Sequence, residues 1–145
     1  MRENIQNFAG VIIFNREKEI LLIKKTGQYA YAIPWCRIVP GVPLNQCLRD
    51  RVMDLTGLSV QPVFLGPSEP IHGDSHFISF DHTASVDIRQ HRFNREGLDY
   101  LWIKPEGLMT VPLVPLTRQI LESYFLSRGL ELELSSETKM LCMGE

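Results

Sequence analysis

The stretch "IPWCRIVPGVPLNQCLRDRVMDLTGL", Ile33 to Leu58, changes character halfway along. Its first part carries Pro34, Gly41 and Pro43, which interrupt backbone pairing and favour turns, and so spells a loop. From Leu44 the apolar residues Leu44, Cys47, Leu48, Val52 and Leu55 recur at spacings of three and four, which is one face of a helix. Pro43 suits the first turn of that helix and Gly57 its exit. The reading is a loop folding over into a helix. Its consequence is chemical, because a stripe fixed by these apolar positions determines which charged neighbours are left to face anything else.

Upstream, "FAGVIIFN" (Phe8 to Asn15) and "EILLIKK" (Glu19 to Lys25) are rich in strand-forming residues and flank the polar turn "NREKE", which predicts a hairpin. Tyr29 to Ile33 is expected to add a short strand ending at Pro34, since a residue before proline is held extended. Downstream, "LSVQPVFLG", "HFISFDHTASV" and "DYLWI" have strand character, and "VPLTRQILESYFLSRG" reads as a second helix with Leu116, Ile120, Leu121, Tyr124 and Phe125 on its apolar face. Strands and helices interleaved this way predict an α/β fold with a mixed sheet. "LELEL" alternates like an edge strand, and the end of the chain reads as a frayed tail.

At 145 residues, with 44% hydrophobic and 22% charged residues, the chain has the balance of one soluble domain. A net charge of −2 gives no broad attraction to nucleic acid or anionic lipid. No apolar run is long enough to cross a bilayer, and "MRENIQNFAG" does not read as a secretion signal. Cys36, Cys47 and Cys142 are an odd set without a close pair in sequence, which predicts free thiols in a reducing cytoplasm.

The order of elements and the opening stretch together resemble the Nudix hydrolases, whose signature is G-x5-E-x7-R-E-U-x-E-E-x-G-U with U aliphatic. Laid over it without a gap, Pro34 and Gly41 match, Trp35 and Cys36 stand at the paired glycines, and Val42 stands at the first Glu. Asp50 and Arg51 stand at the R-E pair, Val52 at the aliphatic site and Asp54 and Leu55 at the E-E pair, with Gly57 and Leu58 closing the box. The resemblance covers roughly Phe8 to Phe125 and implies an α/β/α sandwich with a mixed sheet. The domain is expected over 1–130, with 131–145 an edge strand or flexible tail.

For active members the resemblance implies magnesium or manganese held by helix carboxylates and cleavage of a diphosphate linked to another group, usually a nucleoside. Hard cations take oxygen ligands, and neither Arg51 nor Leu55 can supply one. Arg51 also sets a fixed positive charge where the cation would lie. The direct register therefore implies a metal site that does not function and no cofactor. A one-residue slip offers an alternative: Asp50 and Asp54, one turn apart, would hold Mg2+ or Mn2+, and Glu96 of "REGLDYLWI" resembles the catalytic Glu, a base, that many members carry outside the box. That slip rotates the helix by about 100 degrees and turns part of its apolar stripe out of register with the core.

A different use of the same region is phosphate recognition by Arg37 and Arg51 with Lys24 and Lys25, Arg through a bidentate fork and Lys as a point charge. Trp35 or Tyr31 would stack on a base or other flat group. "HGDSH" and "FDH" group His72, Asp74, His76, Asp81 and His82, of which His76 is the chosen candidate for contact with a polar ligand. The large residues of "WCRIVPGVPL" equally suit a plugged pocket or a homodimer contact. The expectation is a Nudix-like protein that binds a nucleotide or related phosphorylated metabolite without cleaving it, or serves as an interaction module. A divergent metal-dependent hydrolase is the alternative.

Overall fold

A hairpin, as expected from the "NREKE" turn, opens the computed structural model, which describes residues 5–88, 93 and 95–128. Strand β1 (Ile5–Phe14) turns through Asn15 to Glu19 into β2 (Ile20–Lys25). The Asn15 side chain closes the turn, accepting from the Glu19 amide at 2.8 Å and donating to its carboxylate at 2.9 Å. The chain continues through β3 (Trp35–Arg37), α1 (Leu44–Thr56), β4 (Val63–Ser68), β5 (Ile71–His72), β6 (Ser75–Ser85) and β7 (Leu98–Ile103). A 3-10 turn over Pro105–Thr110 then leads into α2 (Pro115–Ser127).

The main path of the sheet runs β4-β6-β1-β2-β7, with β3 added to β1 and β5 to β6. Pairing of β1 with β6 is parallel and the other pairs are antiparallel, so the sheet is mixed. Successive side chains of a strand point to opposite faces, and β1 divides accordingly. Ala9, Val11 and Ile13 pack with Cys47, Leu48, Val52 and Leu55 of α1. Phe8 and Ile12 pack with Ile120, Leu121 and Phe125 of α2 on the other face. This is the α/β/α sandwich.

Helix α1 owes its bounds to backbone chemistry. Pro43 precedes it in extended geometry, and Gly57 ends it at φ +77°, donating its N–H to Met53 O at 2.8 Å. That left-handed turn suits glycine and strains any side chain. The helix buries Leu48 and Val52 completely, and Leu55 nearly so.

Three stretches differ from the sequence reading. Trp35–Arg37 forms a strand against Phe8–Gly10 rather than a loop, since Pro34 ends its own pairing but leaves its carbonyl to accept from Val11 N at 3.0 Å. Tyr29 to Ile33 contributes only isolated bridges at Tyr31 and Ala32. The strand expected from "LSVQPVFLG" begins only at Val63, because Leu58 and Val60 are spent on the core beneath α1. "LELEL", the tail, Cys142 and His91 lie outside the described residues.

The two cysteines within this core sit on adjacent elements, Cys36 on β3 and Cys47 on α1, both buried as free thiols. Burial first, then the neighbouring Cys47, pushes the Cys36 thiol from its ordinary 9.0 up to about 11, with the Arg51 guanidinium opposing.

Two outcomes follow from this packing. Leu48→Ala is expected to lower unfolding stability by about 2–5 kcal/mol, and Met53→Ala, on the exposed side of the same helix, by less than about 1 kcal/mol, measured by urea denaturation. Comparable losses at both positions would contradict the helix orientation. The folded state holds the Cys36 proton more tightly than the unfolded chain, so stability falls as pH rises from 9.0 toward about 11. At mildly alkaline pH, iodoacetamide is expected to label Cys36 roughly a hundredfold more slowly in the folded than in the urea-unfolded protein, and equal rates would contradict its burial.

Candidate functional site

Strands β1 and β2 meet at a single register, Phe14 with Ile20, while β3 takes Phe8–Gly10 of β1. Away from that meeting point the two strands part. A cleft of about 780 Å³ opens there, lined by Ile5–Phe8 of β1 and Ile23–Lys25 of β2. Arg51 and Leu55 of α1 and Leu116, Thr117 and Ile120 of α2 also reach it. This volume lies within the ordinary range for small-molecule sites, about 300–1,000 Å³.

One part of the lining is aromatic. Trp35 meets Phe8 edge-on with ring centroids 5.8 Å apart, and Phe8 meets Phe77 edge-on at 6.1 Å. Trp35 is 44% exposed, so it forms a wall of the cleft without filling it.

Charge sets the rest of its chemistry. Lys24, Lys25, Arg37 and Arg51 line the cleft, and among the described residues no Asp or Glu belongs to the lining. Lys24 is partly committed: its Nζ lies 3.3 Å from Asp99 and donates to Gln28 O at 2.7 Å. Arg51 lies 3.7 Å from Asp54, a carboxylate that Arg95 holds more closely at 2.9 Å. Neither Lys25 nor Arg37 forms an ion pair among the described residues. An anion entering this space meets donors and, among the described residues, no opposing carboxylate on the walls.

The remaining sequence candidates lie elsewhere. Asp50 is exposed and accepts from Gln46 Nε2 at 2.7 Å, and neither it nor Asp54 lines the cleft. Glu96 lies in an exposed turn before β7, also outside the lining. The neighbouring Arg95, not singled out from the sequence, is the residue that reaches α1, also donating to Asp54 O at 3.0 Å. Tyr31 is not part of the lining, and its ring centroid lies 5.4 Å from Lys24 Nζ.

The His/Asp group does not converge. His76 pairs with Glu69 at 2.8 Å outside the cleft, and His72 and Asp74 sit at the β5–β6 turn. Asp81 and His82, adjacent in β6, point to opposite faces. Ser79 Oγ donates to Asp81, whose pKa burial raises, while burial lowers that of His82, which bonds Phe80 O through Nδ1 at 2.9 Å. Both are held within the sheet.

Among the described residues, no three His, Cys, Asp or Glu side chains group as a metal site. The helix carboxylates do not suit a hard divalent cation: Asp54 is taken by two guanidinium groups, and Asp50 is turned from the cleft wall that Arg51 occupies.

Polar lining from Gln6, Asn7, Gln28 and Thr117 was not singled out from the sequence. Thr117, whose Oγ1 accepts from Ile33 N at 3.2 Å, is buried in a helix remote in sequence from the loop it braces. No local pattern marks such a contact.

No family model and no curated protein matches the sequence. Solved structures do match. A MutT protein from Methanosarcina mazei Go1 is similar with a TM-score of 0.70 at 15% identity, over 89% of this chain and 98% of that one. A NUDIX hydrolase from Nitrosomonas europaea aligns at 0.63 and 16% identity, over 84% and 89% of the two chains. The NUDIX domain of Shewanella oneidensis NrtR, solved in complex with ADP ribose, aligns at 0.66 and 13% identity, over 82% and 85%. With helices packed on both faces of a mixed sheet and these likenesses spanning most of its length, the chain has the fold of the Nudix hydrolases.

Proposed function

We propose that this protein binds a nucleotide or a related phosphorylated metabolite in the cleft between β1 and β2 and does not hydrolyse it. The observation that carries the reading is the lining itself: among the described residues it has four cationic side chains, an aromatic wall and no carboxylate. Phosphate oxygens would take Arg37 and Arg51 as bidentate donors and Lys25 as a point charge. A flat base would lie against Trp35. The NrtR domain that shares this fold was solved with ADP ribose, a ligand of the same chemical kind, which supports a nucleotide-derived occupant.

Hydrolysis of a diphosphate requires charge stabilisation at phosphorus and an activated water, supplied in metal-dependent hydrolases by oxygen-ligated cations. Here the helix offers Arg51 and Leu55 to the cleft. Losing one preorganised electrostatic contact costs a hundredfold or more in rate, about 3–4 kcal/mol, and the absence of a whole ligand set costs more.

The test combines calorimetric binding with turnover. ADP, ATP and ADP-ribose are the binding probes, and Arg37→Ala and Arg51→Ala are each expected to weaken the best of them roughly tenfold or more. Turnover of nucleoside triphosphates, ADP-ribose, dinucleoside polyphosphates and nucleotide sugars with Mg2+ or Mn2+ is expected to stay at background. Binding by none of the probes would remove the ligand reading. Metal-dependent turnover that disappears in folded Asp50→Asn and Asp54→Asn variants would establish a hydrolase instead.

A further inference from the structure

The side chains that line the cleft carry the charge that a divalent cation would otherwise bring, and this bears on the form in which a ligand enters. Four lining residues are cationic and the two carboxylates paired with them, Asp99 and Asp54, stand outside the lining. Asp54 is further shared with Arg95, so one carboxylate answers two guanidinium groups. Among the described residues, the walls present an excess of positive charge and no carboxylate to hold a metal from the protein side.

We infer that the cleft takes its polyphosphate ligand free of divalent cation, and that Mg2+ is an antagonist of binding. This rests on the ligand reading above and adds the charge state of the ligand to it. A magnesium ion on a polyphosphate removes two negative charges and holds a shell of water that it gives up reluctantly. Entering this cleft, the complex would lose attraction to Lys25, Arg37 and Arg51 and place a second cation beside them. The uncomplexed anion has neither penalty, and its oxygens remain open to the guanidinium forks. Lys25 and Arg37, which form no ion pair among the described residues, have no protein carboxylate to release first.

The experiment is calorimetry of the full chain with ATP, in EDTA and in excess magnesium chloride, at matched ionic strength. Binding is expected to be about tenfold tighter in EDTA. AMP, which binds magnesium weakly, serves as the control and is expected to change less than about twofold. Arg51→Gln, one cation poorer, is expected to narrow the ratio for ATP. Equal or tighter ATP binding with magnesium would overturn the inference while leaving the ligand reading intact. Loss of AMP binding equal to that of ATP would also overturn it, since magnesium would then be acting on the protein. No binding of either nucleotide in either buffer would overturn the ligand reading and this inference together.

Discussion

The chemistry of the cleft depends on how one helix is rolled against the sheet. Leu48 and Val52 are wholly buried and Leu55 is nearly so, packed on Ala9, Val11 and Ile13. With those side chains inward, Arg51 faces the cleft and Asp50 faces solvent. Rolling the helix by one residue, about 100 degrees, would bring acidic residues round at the cost of exposing apolar groups whose burial contributes about 1.5–3 kcal/mol each. Exposed ion pairs such as Arg51–Asp54 contribute about 0–1 kcal/mol and cannot compete with that. Core packing thus decides the electrostatics of the site.

The proposed recognition of phosphate rests in turn on these electrostatics. Arg95, from the segment before β7, fixes Asp54 through both its side chain and its backbone carbonyl, leaving the carboxylate engaged. Arg51 sits beside the buried Cys36 on one side and the cleft on the other. The divergence of β1 from β2 makes the space, β3 gives it an aromatic wall in Trp35, and α2 closes its floor with Leu116 and Ile120.

Much of this was legible in the sequence because it depends on local periodicity. The helix stripe from Leu44 to Leu55, the hairpin around "NREKE" and the second apolar helix are short-range patterns, and each has its counterpart in the structure. The strand at Trp35–Arg37 was not legible, since three residues that follow a proline carry no period and are held by pairing with Phe8–Gly10. Arg95 and Thr117 act across 41 and 84 residues of sequence, and the gathering of lysines with arginines in one cleft likewise exists only once the sheet has formed. Closeness in sequence does not carry into the fold at "FDH", where adjacent residues are separated by the pleat of β6.

The central claim is that side-chain cations, and no metal, hold the phosphates in this cleft. Co-crystallisation with ADP in the presence of Mn2+, with data collected at the manganese edge, tests it most directly. The account predicts phosphate oxygens within hydrogen-bond distance of Arg37 and Arg51, and no anomalous peak between the ligand and the helix. A manganese peak bridging the phosphates to Asp50 or Asp54 would contradict it.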